Sequence, residues 1–238
     1  AIPGLWKSIL GAGAATGIAG GADHFNGTND YVSLPDMGAN ARVTVECWVK
    51  LNDVPAGGDN GLVSADPWSA GITHFKTDNG LRLKAQIHSA GTIVSSSNLL
   101  AVGSWFYAAY TIAGNASTDF KIFFNGAPLG SSTGSTNNNL TDVNLGREYN
   151  GRYLNAVMDE VRISSVARST NWIWATYQNI ASNAAFASYG AITIPSNNPP
   201  ALIAISPHVI GVGQWLYVTN IATDADAPPQ SLAYSLLP

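Results

Sequence analysis

The chain has little charge and almost no cysteine, and both shortages exclude classes of protein. Only 11% of its 238 residues are charged, with three glutamates and five lysines, whereas an average soluble domain has about a quarter. Because Glu and Lys are favoured in helices, their scarcity argues against a mainly helical fold. The single cysteine, Cys47, excludes an intramolecular disulfide.

The sequence also lacks a transmembrane segment and a net positive charge. No stretch reaches the ~20 consecutive apolar residues of a transmembrane helix. A net charge of −4 argues against a nucleic-acid partner. Residues 1–22 are apolar and small, but they lack the basic start of a signal peptide. We expect this segment to follow a cleavage site or to form an edge strand.

Most of the chain is a series of short alternating segments separated by turn residues. Leu81–His88 alternates apolar and polar side chains, and Asn-Gly pairs at 26–27, 79–80 and 125–126 predict tight turns. About ten strands with a period of 2 and one late helix predict an all-β fold, a two-sheet antiparallel sandwich. Cys47 shares a phase with Val43, Val45 and Val49, which predicts a buried, inert thiol.

The segment 157–179 predicts a strand that leads into a helix. Ser169 or Thr170 can cap that helix, which should run from about 171 to 179. In the strand, Asp159 shares its phase with the apolar Val157, Val161 and Ile163. A buried carboxylate is costly unless it is hydrogen-bonded, paired or bound to a metal. Asp159 is therefore the first candidate functional residue.

The C-terminal part differs in composition from the rest. Pro and Asn residues around 194–200 indicate a linker. We therefore predict a domain over 1–191, a linker over 192–200 and a second β module over 201–238. This module has 38 residues and predicted strands over 201–205, 214–221 and 232–236. That is short for an independent domain, so we expect a truncated module.

Six motifs occur in an order that resembles a known family. They are Phe25–Val32, Val45–Lys50, Trp105–Tyr110, Ile122–Gly126, Leu145–Arg147 and Met158–Ile163. In this order they resemble the laminin G-like, concanavalin A-like jelly-roll domains of bacterial secreted and surface proteins. The resemblance covers roughly residues 5–190 and implies a jelly-roll sandwich, but one fold hosts many functions. The tail resembles the start of a cadherin-like or Ig-like repeat.

The resemblance also implies a calcium site. Such domains often bind calcium through an early loop and the Asp of the late strand, and Ca²⁺ takes six to eight oxygen ligands. The candidate ligands here are Asp159, Asp30, Asn26, Asn29 and the backbone of Gly27. The alternative is that Asp159 accepts hydrogen bonds from backbone amides near the first strand, without a metal.

A glycan site is predicted where aromatic rings and planar polar groups occur together in loops. The candidates are Trp68, Asp66, Arg147, Tyr149, Asn150 and Arg152. Alternatively, Trp68 covers one end of the sandwich, and the two arginines have solvated or salt-bridged surface roles. His74 and His88 show no His-x-His or His-x-x-x-His spacing, so a zinc site is not expected.

The sequence offers no obvious pair of catalytic carboxylates. Glycoside hydrolysis requires paired carboxylates, but Asp159 and Glu160 are adjacent and point to opposite faces of a strand. We therefore expect a non-catalytic, secreted or cell-surface adhesion module that binds a glycan or a surface protein and is stabilised by Ca²⁺. The alternatives are a subunit of a filament or surface layer that self-associates through exposed strand edges, and a glycan-active hydrolase.

Overall fold

The chain folds into two units, which are described separately. The structure is a computed structural model that describes residues 8–10, 13–149, 151–188, 190, 199–224 and 232–233. The first unit is Ala1–Ala187 and the second is Ser188–Pro238.

Strands dominate the first unit. Its strands are β1 (Ser8–Leu10), β2 (Gly13–Thr16), β3 (Gly21–Asn26), β4 (Tyr31–Ser33), β5 (Ala39–Asn40), β6 (Val43–Leu51), β7 (Asn60–Ala65), β8 (Thr73–Thr77), β9 (Leu83–Ile87), β10 (Thr92–Val94), β11 (Trp105–Ile112), β12 (Phe120–Phe124), β13 (Ala127–Ser132), β14 (Asn138–Asn139), β15 (Val143–Leu145), β16 (Arg147–Glu148), β17 (Arg152–Tyr153) and β18 (Asn155–Ser164). Two helices follow, α1 (Thr170–Ala181) and α2 (Asn183–Phe186).

Two seven-stranded sheets form the sandwich, as the alternation predicted. The first sheet has the order β1-β4-β15-β7-β8-β9-β10, and the second has the order β13-β12-β11-β6-β18-β3-β2. Neighbouring strands in both sheets are antiparallel, for example β6 with β11 and β7 with β8. The apolar phases of the two sheets meet in one core. Cys47 lies in that core, as predicted, and burial raises the pKa of its thiol.

Helix α1 covers the outer face of the second sheet. The Ser169 hydroxyl accepts a hydrogen bond from the Trp172 backbone N–H at 3.2 Å, which confirms the predicted cap. Ile173 is the buried residue of the helix and packs with Trp48 and Tyr107 in a second apolar cluster. Trp172 is left half-exposed.

Strand β18 contains a β-bulge. Met158 pairs with Val49 and Ile163 pairs with Val45, and both pairs face the core. Five steps along β18 therefore match four steps along β6, which requires one extra residue in β18. Glu160 sits in this irregularity with a φ of 50°.

The bulge corrects the predicted phase of β18. Val157, Asp159, Val161 and Ile163 were expected on one face, but the extra residue reverses the alternation between Asp159 and Ile163. Asp159 pairs with Trp48, whose side chain belongs to the cluster under α1. The apparent intrusion of a carboxylate into an apolar phase is thus a consequence of the bulge.

The second unit contains little regular structure in its described residues. β19 (Ala201–Leu202) pairs with β20 (Ala222–Thr223). The predicted strand over 214–221 is wrong, because that segment has no partner strand among the described residues and exposes Trp215 and Tyr217. Residues 234–236 of the last predicted strand lie outside the described residues.

Candidate functional site

A row of polar side chains crosses the outer face of the first sheet. Register places six residues side by side on neighbouring strands: Ser33, Asn144, Ser64, His74, Gln86 and Thr92. Their strand neighbours, such as Phe75, face the core, so the alternation of a strand turns this row outward. At about 4.8 Å per strand the row is roughly 24 Å long.

The middle of this row is covered by a loop and a hairpin. The loop follows β7 and carries Trp68, and the hairpin is formed by β16 and β17. Beneath them, Ser64 and His74 are 1% and 0% exposed. Gly61 allows the hairpin to lie this close, because a Cβ at Gly61 would be 2.2 Å from the backbone oxygen of Arg147.

Two exposed aromatic rings form the surface of this cover. Trp68 is 44% exposed and Tyr149 is 37% exposed, and their ring centroids are 5.9 Å apart with the planes tilted by 40°. The inner side of Trp68 contacts His74 and His88, with centroid distances of 4.6 and 5.0 Å. We call Trp68 and Tyr149 the aromatic surface. It offers apolar ring faces beside polar groups, a combination suited to amphipathic ligands.

Arg147 and Asp66 form an ion pair at the rim of the aromatic surface, beside the two rings. Arg147 Nε donates to Asp66 Oδ1 at 3.2 Å, and a second contact joins Arg147 to Asp66 Oδ2. The guanidinium also lies over the ring of Tyr31, 4.3 Å from its centroid. A bidentate pair that is also stacked keeps a fixed geometry.

Charged groups are buried under Trp68. Glu148 Oε1 lies 3.0 Å from His74 Nδ1 and 3.5 Å from Lys76 Nζ. Lys76 also pairs with Asp59 at 3.0 Å. Burial of Asp59 opposes ionisation, but hydrogen bonds from Lys84 and Lys76 prevail and hold its pKa below the usual value.

The structure brings most of the predicted glycan residues together. Trp68, Asp66, Arg147 and Tyr149 form one surface, whereas Asn150 lies outside the described residues. Arg152 is exposed on β17, and its Cα is paired with that of Glu148.

The glycan residues predicted from the sequence do not include His74, Lys76 and Glu148. The alternation of β8 indicates that His74 and Lys76 share a face. No local signal shows that the hairpin brings Glu148 onto that face.

In the predicted calcium loop, side-chain oxygens accept hydrogen bonds from the backbone of the same loop. Asn26 Oδ1 accepts hydrogen bonds from the backbone N–H groups of Thr28, Asn29 and Asp30 at 2.8, 3.1 and 3.3 Å. Asp30 Oδ2 accepts from the Asn26 N–H at 3.1 Å. Gly27 has a φ of 75°, and a Cβ there would be 2.9 Å from the Asn155 side chain. These oxygens are therefore already engaged within the loop.

Asp159 is hydrogen-bonded to the backbone elsewhere. Its Oδ2 accepts from the Ala19 N–H at 3.0 Å and its Oδ1 accepts from the Glu160 N–H at 2.7 Å. Gly17 permits this packing, because a Cβ at Gly17 would lie 2.2 Å from Asp159 Oδ2. These contacts match the alternative in which backbone amides near the first strands satisfy the carboxylate.

The five predicted ligands do not fit a single calcium ion. Asn26 pairs with Asn155, which precedes Asp159 by four residues on the same strand. At about 3.3 Å per residue, the loop and Asp159 are separated by roughly 13 Å along β18. Among the described residues, no group of three or more His, Cys, Asp or Glu side chains could hold a metal ion. Calcium binding stays a prediction.

Asp159 has a different acidic neighbour, Asp23. Both residues line a groove of about 580 Å³ beside β2, β3 and β18. The pKa of Asp23 is raised, first by burial and then by the negative charge of Asp159.

We expect Asp23→Asn to stabilise the protein near pH 7. A carboxyl whose pKa is higher in the folded chain weakens stability while it is ionised in both states, so the penalty exists above the folded pKa. It disappears as pH falls below the unfolded value of about 3.9. Thermal melts in EDTA across this range should show the gain at neutral pH and its loss in acid. A matched variant, Asp36→Asn, should show no such gain, and a lower melting temperature for Asp23→Asn at neutral pH would contradict the prediction.

Two packed antiparallel sheets with short late helices define a β-sandwich protein of the jelly-roll type. The chain belongs to the concanavalin A-like lectin/glucanases superfamily, because residues 26–174 match its laminin G-type family.

Solved structures share the fold at low sequence identity. Domain 4 of AbnA, a GH43 extracellular arabinanase from Geobacillus stearothermophilus in complex with arabinotriose, is 18% identical with a TM-score of 0.55; the match covers 69% of this chain and 80% of that domain. A candidate carbohydrate binding protein from Bacteroides ovatus is 19% identical with a TM-score of 0.54, covering 64% of this chain and 45% of that one. The binding domain of Paraclostridial Mosquitocidal Protein 1 is 13% identical with a TM-score of 0.59, covering 74% and 47%.

A comparison with curated proteins found no match. No helix in the described part of the chain is long and apolar enough to span a membrane.

Proposed function

We propose that the protein is a non-catalytic, extracellular module that binds a glycan through the aromatic surface. The observation that carries the proposal is the exposure of Trp68 and Tyr149, side by side, over the polar row of the first sheet. Sugar rings have apolar C–H faces and polar edges, so they are matched by aromatic rings bordered by hydrogen-bonding groups. The Arg147–Asp66 pair supplies such polar groups at the rim.

The solved relatives support this proposal. The arabinanase domain was determined with arabinotriose, and the Bacteroides ovatus protein is described as a candidate carbohydrate binding protein. One of these relatives is extracellular, which supports a secreted or cell-surface location for this chain as well.

A binding role agrees with the state of the nearby carboxylates. Asp66 is engaged by Arg147, and Glu148 is buried beside Lys76. Glycoside hydrolysis requires one carboxylic acid and one carboxylate that flank the scissile bond. Both of these carboxylates are instead held by cations, which favours recognition over hydrolysis.

Truncation of Trp68 tests the proposal. We expect Trp68→Ala to weaken glycan binding by tenfold or more, which is at least ~1.4 kcal/mol, because a central Trp dominates such contacts. Arabinotriose and an array of neutral and acidic glycans are the probes, followed by calorimetry on those that bind.

Trp172→Ala is the matched control. Trp172 is 48% exposed, close to the 44% of Trp68, but it lies on α1 over the other sheet. Equal losses in the two variants, or no binding of wild-type protein to any glycan, would overturn the proposed function.

A further inference from the structure

Polar atoms without hydrogen-bond partners lie directly beneath the aromatic surface. His74 Nδ1, His74 Nε2 and Glu148 Oε2 are buried and form no hydrogen bond with the described residues. His74 Nδ1 is 3.0 Å from Glu148 Oε1, but the two groups lack hydrogen-bond geometry. The two side chains are 0% and 1% exposed.

Such atoms are unusual in a folded protein. A buried donor or acceptor without a partner loses its hydrogen bonds to water and gains none in return, and the loss is larger for a charged group. Most buried polar groups are therefore satisfied, and the exceptions have a specific reason. Of the eight such atoms in the described residues, three are adjacent here and belong to an imidazole and a carboxylate; the others are on Trp48, Asn60, Thr73, Thr77 and Asn138.

Trp68 lies over the imidazole of His74. Its ring contacts the His74 ring at 4.6 Å, and Lys76 Nζ lies 5.4 Å from its centroid. Trp68 belongs to the loop between β7 and β8, and nearly half of its side chain is in solvent. A rotation of this one side chain would remove the ring that lies on His74 without moving the strands of the sheet.

We propose that His74 and Glu148 form the specificity subsite for two neighbouring hydroxyl groups of a neutral sugar, and that Trp68 covers this subsite until the ligand enters. The inference rests on the proposed function and names its ligand class. Neutral imidazole offers one donor and one acceptor, and a carboxylate only accepts. Glu148 Oε1 already faces His74 Nδ1 at 3.0 Å and Lys76 Nζ at 3.5 Å, so His74 Nε2 and Glu148 Oε2 are the atoms left to meet the two hydroxyls.

Charge excludes acidic sugars from the subsite. A ligand that faces Glu148 Oε2 has to donate a hydrogen bond, and a uronate or sialate would bring a like charge to a buried carboxylate. Lys76 offsets this effect only in part, because its single positive charge is shared between Asp59 and Glu148.

Polysaccharides of different linkage test the proposal with wild-type protein. Residues inside a β-1,4-xylan chain keep two neighbouring free hydroxyls, whereas residues inside a β-1,3-glucan chain do not. Both polymers are neutral and offer ring faces for stacking. An array of neutral and acidic glycans, followed by affinity electrophoresis on xylan and β-1,3-glucan, should show that bound glycans share a free neighbouring hydroxyl pair, with at least tenfold preference over chains lacking it. Equal binding of β-1,3-glucan, or preference for acidic glycans, would overturn the inference.

Two variants test the named residues. His74→Gln and Glu148→Gln should reduce the preference between the two kinds of chain by at least tenfold, while His24→Gln and Glu160→Gln on the second sheet leave it unchanged. If the first two variants do not fold, the linkage profile of the wild-type protein decides alone. Unchanged preference in folded variants would refute the subsite while leaving the proposed function in place if Trp68→Ala still weakens binding by tenfold or more. Binding of no glycan at all would refute both.

Discussion

Gly61→Ala should lower the melting temperature by roughly 5–10 °C and abolish glycan binding. The added Cβ would lie 2.2 Å from Arg147 O, 2.4 Å from Arg147 C and 2.7 Å from the Glu148 backbone nitrogen. These are backbone atoms, so no side chain can rotate away to relieve the clash. Overpacking of this kind typically costs about 1–3 kcal/mol, and each kcal/mol lowers the melting temperature of a 150–250-residue domain by about 2–4 °C. We expect a cost near the upper end of that range.

The same clash should act on the site through the hairpin. Displacement of β16 moves Arg147 away from Asp66 and Glu148 away from Lys76. Binding should therefore be lost even at temperatures where the variant is fully folded. Differential scanning calorimetry and glycan calorimetry on the same preparations separate the two effects.

Gly21→Ala is the matched control for Gly61→Ala. A Cβ at Gly21 would meet no atom within 4 Å. A substitution at such an open position usually changes stability by no more than about 0.5 kcal/mol. Similar melting temperatures for the two variants would contradict the close approach of the hairpin to β7.

Strand alternation predicted the sandwich because burial of one face imposes a period of 2. Cys47 with its neighbours on β6, and the cap of α1 at Ser169, were predicted for such local reasons. The bulge at Glu160 was not, because one inserted residue leaves no signal in the composition. The bulge reverses which side chains of β18 face the core. Asp159 therefore lies on the face under α1 and not in the same phase as Ile163.

The candidate site was predicted in part for similar reasons. Trp68 and Tyr149 belong to polar loops, where an aromatic residue is conspicuous. The partnership of His74 with Glu148 depends on sheet register and on the fold of a hairpin about 70 residues later, and no short motif encodes it. Nor could spacing alone show that the loop over 26–30 and Asp159 lie near opposite ends of the interaction between β3 and β18.

Asp159→Ala should destabilise the protein by about 1.5–3 kcal/mol, the range for loss of hydrogen bonds to a charged group. The substitution removes the acceptor of the Ala19 and Glu160 backbone N–H groups. Asp159 itself is only 8% exposed, whereas Ala19 is exposed, so water can reach the freed Ala19 N–H. The first of these bonds ties the 17–20 turn to β18, and the second fixes the bulge. Thermal melts should show a drop of the same size in EDTA and in millimolar CaCl₂, because the backbone bonds need no ion.

Calcium would produce a different pattern in these melts. A bound ion raises the melting temperature of the folded state with ion concentration, so wild-type protein would gain stability in CaCl₂ and Asp159→Ala would not. The exposed Asp53, whose carboxylate accepts a hydrogen bond from the adjacent Val54 N–H, provides the control variant Asp53→Ala. An ion-dependent loss confined to Asp159→Ala would restore the metal interpretation of this carboxylate. An ion-independent loss assigns Asp159 to the hydrogen bonds that hold the early turn against the bulged strand.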